Sequence, residues 1–144
     1  MTRTQQRPAN AYARIGIETS VSAASPHRRI LMLLDGALRA IHDARRHMAG
    51  GNIPAKGEAI SRAISIISQG LAQSLDPARG GNIALQLREL YDYLIRRLLM
   101  ASLRNDPVAL TEVAQLLAGL RDAWAEIAEP TRTESIPNFV PTFA

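Results

Sequence analysis

The sequence predicts an all-α fold, an antiparallel up-down-up-down four-helix bundle with a flexible N-terminal arm and C-terminal tail. Three observations carry this. Apolar residues recur at alternating spacings of three and four in four separate stretches. Each stretch is bracketed by helix start and stop signals such as Ser-Pro, Gly-Gly-Asn and Asp-Pro. No stretch alternates with period two for long enough to form a strand. At 144 residues the chain fits one domain, against a usual size of about 100–200 residues.

Helix one is expected to start with Ser25 as N-cap and Pro26 at the first helical position. A Ser oxygen accepts from free backbone N–H groups, and Pro has no N–H to lose there. Ile30, Leu34, Ala37, Ile41, Ala44 and Met48 then form a continuous stripe, which Leu31, Leu33 and Leu38 widen. Gly50-Gly51-Asn52 ends the helix. Helix two begins near Pro54 with Ile60, Ile64, Ile67 and Leu71. Gly70 weakens its interior by about 1 kcal/mol relative to Ala, and the turn from Asp76 to Gly81 stops it. Helix three starts near Asn82, with Ile83, Leu87, Leu90 and Leu94 as core stripe and Tyr91, Ile95, Leu98 and Leu99 beside it. Asn105-Asp106-Pro107 breaks that helix and caps the next. Helix four carries Leu110, Val113, Leu117, Leu120, Trp124 and Ile127, with Trp124 expected in the core, and ends at Pro130. The organisation is therefore an arm over 1–24, a bundle over 25–129 and a Pro-rich, disordered tail over 130–144.

Composition narrows the function. The chain has no cysteine, which excludes disulfides, thiolate metal sites and Cys nucleophiles. No apolar run reaches the roughly 18 residues of a membrane span, and no secretory signal pattern opens the chain. A cytoplasmic protein without stable membrane insertion is expected. The net charge is +4, and residues 1–29, with five arginines against Glu18, hold all of it. The balanced remainder lacks the one-sided basic face of a nucleic-acid-binding body.

Candidate chemistry is thin. His27, His42 and His47 form no HExxH pair and read as solvated. Acidic residues are scattered, and Asp122 and Glu126 are like charges one turn apart rather than a dyad. Gly80-Gly81 lacks the Lys-Ser/Thr of a phosphate loop. Arg45-Arg46 and Arg96-Arg97 read as solvated faces, with Asp92 at ion-pair spacing from Arg96. Tyr91 and Tyr93 point about 200° apart on a helix, one to the core and one to a groove or solvent. No catalytic set, metal or cofactor is expected. What stands out is the breadth of the apolar face on helix one, more than a bundle core needs.

Six segments in order then carry a resemblance: Ala11-Tyr12, SAASPHRRILMLLDGAL, KGEAISRAISIISQGL, SLDPARGGNIALQLRELYDYLIRRLL, LRNDP and LRDAWAEI. From about Ala11 to Ile127 the chain resembles the flagellin-specific export chaperones of bacteria, the FliS family. The resemblance implies a small helical bundle without enzymatic activity. It implies binding of the disordered C-terminal segment of flagellin, which becomes helical along apolar grooves. Premature polymerisation is thereby prevented and the client is presented to the membrane export gate protein. The N-terminal arm is implied to cover part of a groove and to be displaced. Tyr12 matches the family's N-terminal tyrosine, so Tyr12 with Ile15 is expected to make the arm or export-gate contact. Leu34 stands where the family usually has an aromatic. The groove residues expected are Leu31, Leu34, Leu38, Tyr91, Ile95 and Leu99. The alternative is a homodimeric structural bundle whose surplus apolar face is buried against a second copy. A nucleic-acid adaptor using the basic arm is a third reading, which predicts DNA binding that weakens steeply with salt.

Overall fold

The structure is a computed structural model in which residues 24–127 are described. The expected arm and tail lie outside them, Ala24 apart. The chain divides into two compact units, Leu33–Ile127 and a second unit of Met1–Met32 with Ala128–Ala144. Of the second, residues 24–32 are described.

Four α-helices run in order: α1 (Pro26–Ala49), α2 (Ile53–Ser65), α3 (Pro77–Arg104) and α4 (Pro107–Ala125). The Ser25 hydroxyl accepts from the Arg28 amide at 3.1 Å, so α1 starts where the Ser-Pro signal puts it. Its end is a Schellman turn: the Asn52 amide donates to the His47 carbonyl and Gly51 takes a φ of 77°, a conformation glycine adopts without steric cost. Asn52 then caps α2, its side chain accepting from the Ala55 amide at 3.2 Å. The same economy joins α3 to α4. Asn105 is left-handed (φ 52°), the Asp106 amide returns to the Ala101 carbonyl, and the Asp106 side chain caps α4 at the Val108 amide, 2.9 Å away. Connections this short leave successive helices no arrangement but antiparallel neighbours.

Side chains fix which helices touch. Arg62 of α2 donates to Asp43 of α1 at 3.3 Å, and Arg121 of α4 donates to Asp35 of α1 at 2.9 Å. Lys56 of α2 reaches α3, and Glu112 of α4 binds Tyr93 and Arg97 of α3. Each helix thus has two lateral neighbours, and α1 lies diagonally across from α3. Inside are Leu34, Ala37, Ile41 and Ala44 from α1, and Ile60, Ala63, Ile67 and Leu71 from the second helical segment. Tyr91, Leu94, Leu98 and Ala101 come from α3, and Leu110, Val113 and Leu117 from α4.

Several expectations are corrected. The second helical segment is not uniform: α2 passes into a π-helical turn at Ile66–Leu71 and a 3-10 turn at Ala72–Ser74. Gly70 sits inside the π turn, and a Cβ there would lie 3.0 Å from a Leu33 methyl. The glycine is a point of close helix approach. The turn at Asp76–Gly81 is itself helical, with Asp76 capping at Ala78, and the break falls at Gly81, whose φ is 56°. The core stripe of α3 is displaced from the one expected. Ala84 is buried, while its neighbour Ile83 is 68% exposed and Leu87 and Leu90 are half-buried. Small side chains admit the neighbouring helix closely, and the large ones beside them are left at the rim. Ile127 is exposed and Trp124 half-buried rather than core, and His27 is buried rather than solvated.

Lys56 is the one buried lysine, with 3% of its surface exposed. Its ammonium donates to the Ser102 carbonyl and to Asn105 Oδ1, both at 3.0 Å. A cation at the C-terminal turn of α3 complements the helix dipole and satisfies a carbonyl with no intrahelical partner. Replacing Lys56 with Met strands both acceptors. Urea denaturation of Lys56→Met is expected to show a loss of about 1.5–3 kcal/mol at unchanged denaturant slope. A loss under about 0.5 kcal/mol would mean the cost of burying the charge cancels its bonds.

Candidate functional site

The residues expected to line a client groove fall into distinct environments. Leu34 is fully buried and Tyr91 is 3% exposed, so both belong to the core. Leu38 and Ile95 are half-buried, and Leu99 is 48% exposed. Leu31 is half-buried near the start of α1. Leu38, one turn beyond Asp35, lies on the side of α1 that faces α4. Tyr12 and Ile15 lie outside the described residues.

Two apolar surfaces are present instead. On α3, Ile95, Leu99 and Leu103 follow at intervals of four, and exposure climbs to 81% at Leu103. Residues four apart share a helix face, so this is a continuous greasy strip. The groove candidates expected from the sequence end at Leu99, although the spacing of four already points to Leu103, two residues before the break at Asn105-Asp106-Pro107. The second is a set of partly exposed apolar side chains on α4, Leu116, Leu120 and Trp124. Glu112 sits level with Tyr93 and Arg97, so four and eight residues further along α4, Leu116 and Leu120 come level with Tyr91 and Leu87. Trp124 then comes level with Ile83. Ile83 and Ile127, counted as core in the sequence, are exposed at this end.

A polar clasp holds the strip's helix to α4. Glu112 accepts from the Arg97 guanidinium at 2.7 Å and from the Tyr93 hydroxyl. These two bonds hold the Glu112 carboxyl below the usual carboxylate range, against a smaller effect of burial. In return the bond to Glu112 raises the Tyr93 hydroxyl and the Arg97 guanidinium above their usual values. Arg97 is therefore an interhelical partner rather than part of a solvated pair. The expected Asp92–Arg96 pair does not form among the described residues. Tyr91 faces the core and Tyr93 the clasp, as their angular separation requires, and burial raises the Tyr91 hydroxyl.

Among the described residues, no group of three or more His, Asp or Glu side chains is placed to hold a metal. No described helix is long and apolar enough to cross a membrane. What the surface offers is apolar area and hydrogen-bonding rims, the chemistry of polypeptide recognition.

The family profile described as "Flagellar protein FliS" matches residues 8–131. This chain is a member of the FliS family. The "Flagellar secretion chaperone FliS" of Salmonella typhimurium is 52% identical over 118 residues, 82% of this chain and 87% of that protein. The protein of the same description from Escherichia coli is 44% identical, over 81% of this chain and 85% of its own length. That of Bacillus subtilis is 32% identical over 90% of this chain and 92% of its own. The match to the FliS family runs through all four helices, so the clasp, the buried lysine and the apolar strip all lie within it.

The clasp gives a pH signature. Glu112 ionises more readily in the folded chain than at its ordinary value of 4.5. Its contribution is therefore present above that value and is lost as pH falls through the folded one. The stability gap between wild type and Glu112→Gln is expected to be widest near neutrality and to narrow as pH falls below the ordinary value of 4.5, followed by thermal melts from pH 7 to 3. A gap constant with pH would show that the carboxylate charge contributes nothing.

Proposed function

We propose that this chain is a cytoplasmic chaperone of flagellar protein export. It binds the disordered C-terminal segment of flagellin on apolar surface, prevents premature polymerisation, and delivers the client to the export gate. The observation that carries the reading is the Ile95–Leu99–Leu103 strip, in a chain of a secretion-chaperone family. Monomeric soluble proteins rarely leave a contiguous apolar face open unless something docks on it.

A disordered client suits this surface. It forms its helix on docking, with apolar residues three and four apart seated against the strip. Ordering the client costs entropy, so affinity per unit area is low and release for export stays feasible. Separate apolar faces on different sides of the bundle suit a segment that wraps rather than one that inserts. Within the expected set, Ile95 and Leu99 contact the client on one face and Leu38 supports contact on another. Leu34 and Tyr91 act by shaping the core behind. Leu31, Tyr12 and Ile15 retain the roles that the family resemblance gives them.

The test is calorimetric titration of the full chain with a peptide of its own organism's flagellin C-terminus. Saturable binding with a negative heat-capacity change is expected. The double variant Leu99→Asp, Leu103→Asp should weaken it about tenfold or more, each buried leucine contributing roughly 1.5–3 kcal/mol, with the circular dichroism spectrum unchanged. Absence of binding by wild type, together with a concentration-dependent dimer in sedimentation that the same variant abolishes, would overturn the chaperone reading in favour of a self-associating bundle.

A further inference from the structure

We infer that the cleft between the last turns of α1 and the α3–α4 turn is a second docking site, for an acidic peptide segment bearing apolar side chains. The cleft is open, with a volume of about 720 Å³, within the range of about 300–1,000 Å³ typical of built ligand sites. Asn105 in its lining stands two residues beyond Leu103, the end of the α3 strip, but none of the strip's residues lines the cleft, and the inference does not rest on the flagellin reading.

Its lining has two parts. Met48 and Pro107 give an apolar floor, and Arg45 and Arg46 form a wall. Methionine adapts its shape to irregular apolar partners. Ala49, Asn105 and Thr111 complete the lining. The Thr111 hydroxyl donates to the Pro107 carbonyl at 3.1 Å, which leaves its lone pairs to accept from a peptide N–H. Asn105 spends its carbonyl oxygen on Lys56, which leaves its amide N–H groups to donate. The cleft thus offers a donor and an acceptor to a backbone as well as charge to side chains.

The charge is one-sided. No acidic residue lines the cleft. Arg45 is exposed and makes no ion pair or hydrogen bond among the described residues. Arg46 pairs with Asp43 at 3.1 Å, but that carboxylate also takes Arg62 at 3.3 Å, so two guanidiniums share one countercharge. Behind Asn105 the Lys56 ammonium is held by neutral oxygens alone. The nearest acid in sequence to the α4 end, Asp106, is turned to cap the Val108 amide. Positive charge beside a partly apolar floor favours carboxylates carried on apolar segments. Nucleic acid fits less well, because the lining has no aromatic ring for a base to stack on and its arginines form a pair rather than a track.

The experiment is a two-dimensional amide NMR titration of the isotope-labelled full chain with the probe peptide acetyl-Asp-Leu-Glu-Leu-Asp-amide. The controls are its uncharged analogue acetyl-Asn-Leu-Gln-Leu-Asn-amide and a 12-nucleotide single-stranded DNA. Shifts localised at Arg45, Arg46, Asn105 and Thr111 are expected with the acidic peptide. Arg45→Glu should weaken it about tenfold or more, the loss of a charge-assisted contact, with an unchanged melting curve because Arg45 is exposed. No localised shift at millimolar peptide, equal shifts with the uncharged analogue, or an unaltered response in Arg45→Glu would overturn the proposal. Tighter binding of the DNA at the same amides would reassign the cleft to nucleic acid.

Discussion

One buried ammonium organises this bundle. Lys56 stands near the start of α2, yet its bonds fall on Ser102 and Asn105, at the far end of α3. A buried cation has to find its oxygens or leave the core. These two oxygens exist only where α3 terminates in a left-handed Asn105. The lysine therefore sets the register of α2 on α3 and steadies the turn that launches α4. With α4 placed, Glu112 meets Tyr93 and Arg97, and Arg121 meets Asp35 on α1. The lateral order of the helices can be read from these few polar bonds laid over the apolar interior.

The division of labour between the two faces of α3 follows from side-chain size. Ala84 and Ala101 face inward and let neighbours approach closely, while Leu94 and Leu98 fill the centre. Larger residues then remain outside: Leu99 and Leu103 along the strip, and Ile83 at the opposite end. A second apolar face on a helix whose core face is already satisfied is the kind of surface on which partners dock. The proposed client surface is thus what remains after the bundle has packed.

Much of this was legible in the sequence. Caps and stops at Ser25, Asn52, Asp106 and Pro107 rest on local chemistry and are found where the residue types put them. The stripes of α1 and the first half of α4 were legible because both helices are flanked by partners there. The sequence misled where tertiary packing decides. Periodicity alone does not tell whether Ile83 or Ala84 faces in, since the two are adjacent and the choice depends on how near the next helix lies. The close approach of Leu33 to Gly70 joins residues distant in sequence. The pairing of Arg97 with Glu112 and the burial of Lys56 are likewise long-range. Among the groove candidates, Leu99 was placed on an open face, Leu34 and Tyr91 proved to be interior, and Leu103, beside the break at Asn105, was not among them.

The central claim is that α3 carries a core face already satisfied within the bundle and an outer face kept for a client. Hydrogen–deuterium exchange of the full chain, with and without the flagellin C-terminal peptide, tests it directly. The account predicts added protection over the turns of α3 that contain Ile95, Leu99 and Leu103, with exchange in the core turns of α1 around Ala37 and Ile41 little changed. Protection confined to the interior of α1, or spread evenly over the bundle without a maximum on α3, would contradict it.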